Sequence, residues 1–161
     1  MTDYNSKHKN LTDKITDFLK SIGINVVEKP LTNDTFLPGI KVQENSIFVD
    51  VNQLKHPGDL LHEAGHLAVS ETHIRPLIGT SEIDTDWPKD GEEMTAILWS
   101  YAACYHLDLD LKVVFHPDGY KNESEWLIEQ FNSKNYIGLP LLEWMGLCTS
   151  DEFPNMKRWL R

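Results

Sequence analysis

Cysteine is scarce: the 161-residue chain has two, Cys104 and Cys148, far apart in sequence. That excludes a close-spaced disulfide framework and a four-thiolate zinc site within one chain. A reducing, cytoplasmic setting is expected. Long apolar runs are missing too. No stretch approaches the roughly 20 residues that cross a bilayer, and the opening MTDYNSKHKN lacks the apolar core of a secretory signal. Positive charge is in deficit, with Lys+Arg 15 against Asp+Glu 25 and a net charge of −10. Such a balance argues against nucleic acid and anionic membrane as partners. Repeats and low-complexity segments are absent. What is left is 40% hydrophobic and 25% charged, a globular composition in one domain, 1–161, long enough to build a core.

Apolar periodicity places the elements. Leu11, Ile15, Phe18, Leu19 and Ile22 recur at helical spacing over 7–22, and Gly23 ends the run. Residues 24–28, 36–42 and 46–51 read as short strands, the last two separated by the polar turn Gln43-Glu44-Asn45. Pro57 opens a helix over 57–70. Residues 71–89 lack periodicity and form a long irregular connection. A third helix spans 90–106 with Asp90 as N-cap, and further helices follow at 122–132 and 140–147. The five tryptophans are expected in the core, and the aromatic end from Phe153 to Leu160 is expected to pack down. The sum is an α+β fold, mostly helical, with a small N-terminal sheet.

The segment that carries chemistry is Leu60-Leu61-His62-Glu63-Ala64-Gly65-His66-Leu67-Ala68-Val69. It holds His-Glu-x-x-His inside an expected helix. Residues four apart share a helical face, so His62 and His66 can direct imidazole nitrogens at one ion. Zn2+ suits imidazole at about 2.0–2.1 Å. Glu63, one residue on, is rotated aside and can serve as general base to a metal-activated water whose pKa falls to about 7. The flanking leucines, Ala68 and Val69 bury this helix, and buried imidazoles and carboxylates are costly without partners. The bland alternative is two core histidines bonded to backbone with Glu63 at the surface.

A strand pair followed by a His-Glu-x-x-His helix resembles the zincin metallopeptidases. The resemblance implies a mixed sheet packed on the active helix, peptide or protein as substrate, and an edge strand that holds an extended peptide, with residues 46–51 as the candidate edge. A catalytic zinc needs a third protein ligand. Glu93, 27 residues after His66 and followed along its helix by Ala96, Ser100 and Ala103, makes the segment 46–104 similar to the gluzincin-type ImmA/IrrE metallopeptidases, in which a glutamate on the next helix completes the site. The same Glu93 fits a capping box behind Asp90 equally well. Glu92 is the backup ligand, and Asp84 and Asp86 are a further alternative.

A hydrolase also needs a donor to the developing oxyanion. His116 and Tyr120, flanking the turn His-Pro-Asp-Gly-Tyr, are the candidates, with Tyr101 and His106 behind them and Asp118 as an acceptor for a ligand histidine. Two functions are weighed: zinc-dependent peptide or amide hydrolysis, and a non-catalytic zinc-binding module that binds a protein partner. Glu63 favours the first, since a metal staple has no use for it.

Overall fold

A computed structural model describes residues 2–161. The order is α1 (Thr2–Ser21), β1 (Asn25–Glu28), β2 (Ile40–Gln43), β3 (Ser46–Val49), α2 (Asp59–Val69), α3 (Asp90–His106), α4 (Ser124–Asn132) and α5 (Leu139–Trp144), with short 3-10 turns between the later helices. This is the α+β, helix-dominated architecture that the periodicity predicts. Among the described residues, no helix is long and apolar enough to cross a membrane.

The sheet has the order β1-β3-β2. β1 runs parallel to β3, with Val26 opposite Ile47, and β2 runs antiparallel to it, with Val42 opposite Ile47. β3 is therefore the central strand, which corrects the expectation that residues 46–51 form the open edge. Pairing with β1 on one side and β2 on the other makes it central, and its alternation sets its faces: Ile47 and Val49 are buried, while Ser46 and Phe48 are only partly covered. The edge facing the cleft is β2. Its reach is shorter than expected, because Leu37-Pro38-Gly39-Ile40 makes a tight bridge before it, with Gly39 at φ +75°.

α2 packs chiefly on α3. The small residues on the line below Glu93 allow this, and Gly65 is the contact point: a Cβ there would stand 2.7 Å from the Ala96 carbonyl oxygen. α3 is buried almost all round, from Thr95 to Cys104. Its neighbours include α2, α5 and the chain end, where Trp159 meets Trp99 edge-on and Trp99 Nε1 donates to the Trp159 carbonyl at 3.0 Å. Arg161 N–H donates to Ala68 O at 2.9 Å, so the last residue is tied to the end of α2. Phe153 and Trp159 pack down as expected. The tryptophans do not all do so: Trp99 is fully buried, but Trp126 is 46% and Trp144 72% exposed. α4 and α5 are short helices that each bury one narrow side, and both rings fall on the other.

Candidate metal centre

α2 presents His62, Glu63 and His66 to a cleft between the sheet side and the N-terminus of α3. The two ring Nε2 atoms are 3.2 Å apart. Glu93, from the first turn of α3, reaches both: Oε1 lies 3.4 Å from His62 Nε2 and Oε2 lies 3.0 Å from His66 Nε2. Tetrahedral donors on bonds of 2.0–2.1 Å stand about 3.3–3.4 Å apart. The two ring nitrogens, 3.2 Å apart, and the two Glu93 oxygens, one at 3.4 Å from His62 and the other at 3.0 Å from His66, cluster closely enough to hold a single small cation. Two imidazole nitrogens this close need a proton or a cation between them, since two facing lone pairs repel. Glu63 completes the group, with ligand atoms of His62, Glu63 and His66 all within 4.8 Å of one another.

The capping geometry separates the two glutamates that sequence leaves equivalent. The N-cap of α3 is Lys89, one residue earlier than expected, so Asp90 is the first helical residue. Glu92 thereby becomes the third, and its Oε2 accepts the Lys89 backbone N–H at 2.8 Å. Glu92 closes the box; Glu93 is rotated one residue on and turns to the histidines. Asp84 and Asp86 are exposed and join no cluster of potential ligands among the described residues.

Electrostatics follow from burial. Burial pushes the His62 imidazole down to about 4, and the neighbouring His66 adds to the effect. For His66, burial opposes the charge, but the hydrogen bond it donates to Glu93 and the charges of Glu63, Glu93 and Glu92 raise it above its ordinary value. Burial raises the Glu63 carboxyl, and Glu93 and Asp59 push the same way, which suits a proton acceptor. Burial works against the Glu93 carboxylate, yet the two histidines and Lys121 hold it below its ordinary range. His62 Nδ1 and His66 Nδ1 are buried and meet no acceptor, so no hydrogen bond behind either ring fixes its tautomer.

The cleft, about 630 Å³, is bounded by Ile40, Lys41 and Val42 of β2, by Phe36, by Ile78 and by Trp87. Trp87, expected in the core with the other tryptophans, lines the cleft, packs its ring on His66 at 5.5 Å and leaves Nε1 buried without a partner. Phe36 stands 96% exposed at the rim. Part of the β2 edge is already covered: Glu44 N–H donates to Ile78 O at 2.9 Å, and Gly79 abuts the Val42 carbonyl where no Cβ fits.

The other expected residues divide. The Tyr120 ring meets His62 edge-on at 5.4 Å. Its hydroxyl is buried and unpartnered, and burial among Asp59, Glu93 and Glu63 keeps it well above its ordinary pKa. His116 lines an adjoining pocket of about 500 Å³ that shares His62, Glu63 and Glu93 with the cleft, and its Nε2 is committed to Asp59 Oδ1 at 2.6 Å. Asp118 serves His56 rather than a ligand histidine. Tyr101 sits among Phe131, Tyr136 and Phe153, and His106 packs between Phe18 and Trp159. Asp59 was missed by sequence reasoning. The signal was present: it lies three residues before His62 and four before Glu63, on the same helical face. No family model, curated protein or solved structure matches the chain.

Proposed function

We propose that the protein is a zinc-dependent hydrolase that cleaves peptide or amide bonds. The observation that carries this reading is the donor cluster of His62, His66 and the Glu93 carboxylate, with Glu63 beside it and a cleft in front. These three residues would hold Zn2+, and Glu63 is free of ligation duty. When bound, the ion supplies Lewis-acid polarisation of the scissile carbonyl and acidification of a water. Glu63 takes the proton from the attacking water and hands it to the departing amine nitrogen. Its raised affinity for protons, the effect of burial, suits both halves of that transfer. Tyr120, packed on His62, is the proposed donor to the developing oxyanion.

The substrate proposed is an extended peptide lying along the open first half of β2, its backbone paired with the strand and an apolar side chain set against Phe36, Ile78 and Trp87. Cover from Ile78–Gly79 limits that pairing to a short stretch, which favours a narrow target over general proteolysis. A reducing, cytoplasmic compartment is proposed as the setting, consistent with two buried free thiols.

Glu63→Gln tests the mechanism. Hydrolysis of a quenched-fluorescent peptide library should fall by about 10²–10⁴-fold while zinc content stays at one equivalent. Unchanged activity would remove Glu63 from its role. A zinc-loaded wild type that cleaves nothing in the library would leave the non-catalytic binding module as the better account.

A further inference from the structure

A second set of metal-binding side chains stands beside the first and shares none of its ligands. His116, in the turn after Phe115, is 6% exposed. Its Nε2 faces Asp59 Oδ1 at 2.6 Å, and Asp59 is itself buried. A carboxylate accepts but does not donate, so this bond puts the proton on Nε2 and leaves a lone pair on Nδ1. That Nδ1 is buried and meets no donor. A carboxylate behind the ring and a bare lone pair in front is the arrangement that orients a metal-binding imidazole.

His56 and Asp118 adjoin that ring. One ligand atom from each of His56, His116 and Asp118 lies within 4.8 Å of the other two. His56 Nε2 meets Asp118 Oδ2 at 2.9 Å, and Lys55 Nζ meets the same oxygen at 2.9 Å. We infer that His56, His116 and Asp118 form a second site for a divalent transition-metal ion, with Asp59 as the residue that positions His116. Two imidazoles and one carboxylate suit Zn2+, Co2+, Ni2+ or Cu2+ over Mg2+ or Ca2+.

The geometry also dictates how the ion enters. The His56 and His116 rings are stacked, with centroids 3.7 Å apart and planes 11° from parallel. An imidazole binds in its own plane, so two stacked rings cannot address one ion as they stand. His56 must turn out of the stack. It is the freer ring: its side chain is 26% exposed, and the partner it leaves, Asp118, is a fellow ligand. Lys55 must release the same carboxylate. Both steps oppose binding, so this site fills after the His62–His66–Glu93 centre.

Titration of metal-free, full-length protein with Co2+, followed by calorimetry and visible absorbance, tests the inference. Wild type should take up two equivalents, the second more weakly. His56→Gln with Asp118→Asn should weaken the second event by about tenfold or more and leave the first intact; both positions are partly or well exposed, so the fold should tolerate them. His62→Ala with His66→Ala should abolish the first event and keep the second. That result also separates the two sites, since loss of the first event alone bears only on the main centre. Saturation of wild type at one equivalent, or a second event unaltered in His56→Gln/Asp118→Asn, overturns the proposal even if the His62/His66 variant does not fold.

Discussion

Adjacent glutamates with different duties are the clearest residue-scale result. Glu92 bonds the Lys89 backbone and Glu93 faces two histidines. Glu92→Ala should therefore cost about 0.5–2 kcal/mol of stability, the range for a lost helix cap, and leave metal content unchanged. Glu93→Ala should lower zinc occupancy strongly, with a small fall in the denaturation midpoint of the metal-free protein, since the carboxylate is held below its ordinary range by the two histidines. Paired metal analysis and denaturant unfolding of the two variants would check this; metal loss in Glu92→Ala but not in Glu93→Ala would reverse the assignment. A pH effect belongs to His62. Its folded-state pKa of about 4 lies below the ordinary 6.5, so the unfolded chain binds more protons between those values. Stability of the metal-free protein should then fall as pH drops from 6.5 to 4, by about 3 kcal/mol at 1.36 kcal/mol per pK unit. His66, shifted upward, has the opposite sign and loses its contribution as pH rises through its folded value. Unfolding midpoints measured in chelator across that range should show a shallower acid slope in His62→Gln.

Among the elements, the α2–α3 contact sets the geometry of the proposed metal centre, because its proposed ligands come from both helices. Gly65 lets the helices close, and a Cβ there would collide with the Ala96 carbonyl. Gly65→Ala should cost about 1–3 kcal/mol, the usual overpacking range, and should weaken metal binding by pushing Glu93 away from the imidazoles. A variant that binds zinc as tightly as wild type would show that the helices can part without moving the donors. The His-Glu-x-x-His spacing and the small residues after Glu93 made this pairing legible in the sequence. The choice between Glu92 and Glu93 was not legible, because it turns on a one-residue shift of the cap from Asp90 to Lys89. The edge strand was misplaced for a related reason. Ser46–Val49 and Ile40–Gln43 have similar short apolar patterns, and only long-range pairing with β1 makes the former central. Trp126 and Trp144 read as core from hydrophobicity, yet α4 and α5 are too short to bury two sides.

For the molecule as a whole, the centre joins the part of the chain that carries the sheet to the helical remainder. α2 follows the strands directly, while Glu93 belongs to the central helix. In the proposed function, an ion held by His62, His66 and Glu93 would bind the folded state and lack a preformed site in the unfolded one. Its removal by chelator should lower stability by about 4 kcal/mol when free metal had stood a thousandfold above Kd, which at this chain length is a fall in Tm of roughly 10 °C. Calorimetry before and after chelation would measure it, and an unchanged Tm would mean that no ion couples the two helices. The most direct test of the central claim is a crystallographic anomalous-difference map at the zinc absorption edge, from protein produced with zinc supplied. The account predicts one strong peak within about 2.0–2.1 Å of His62 Nε2 and His66 Nε2 and in contact with the Glu93 carboxylate; a map with no peak there, and the two imidazoles turned to separate partners, would contradict it.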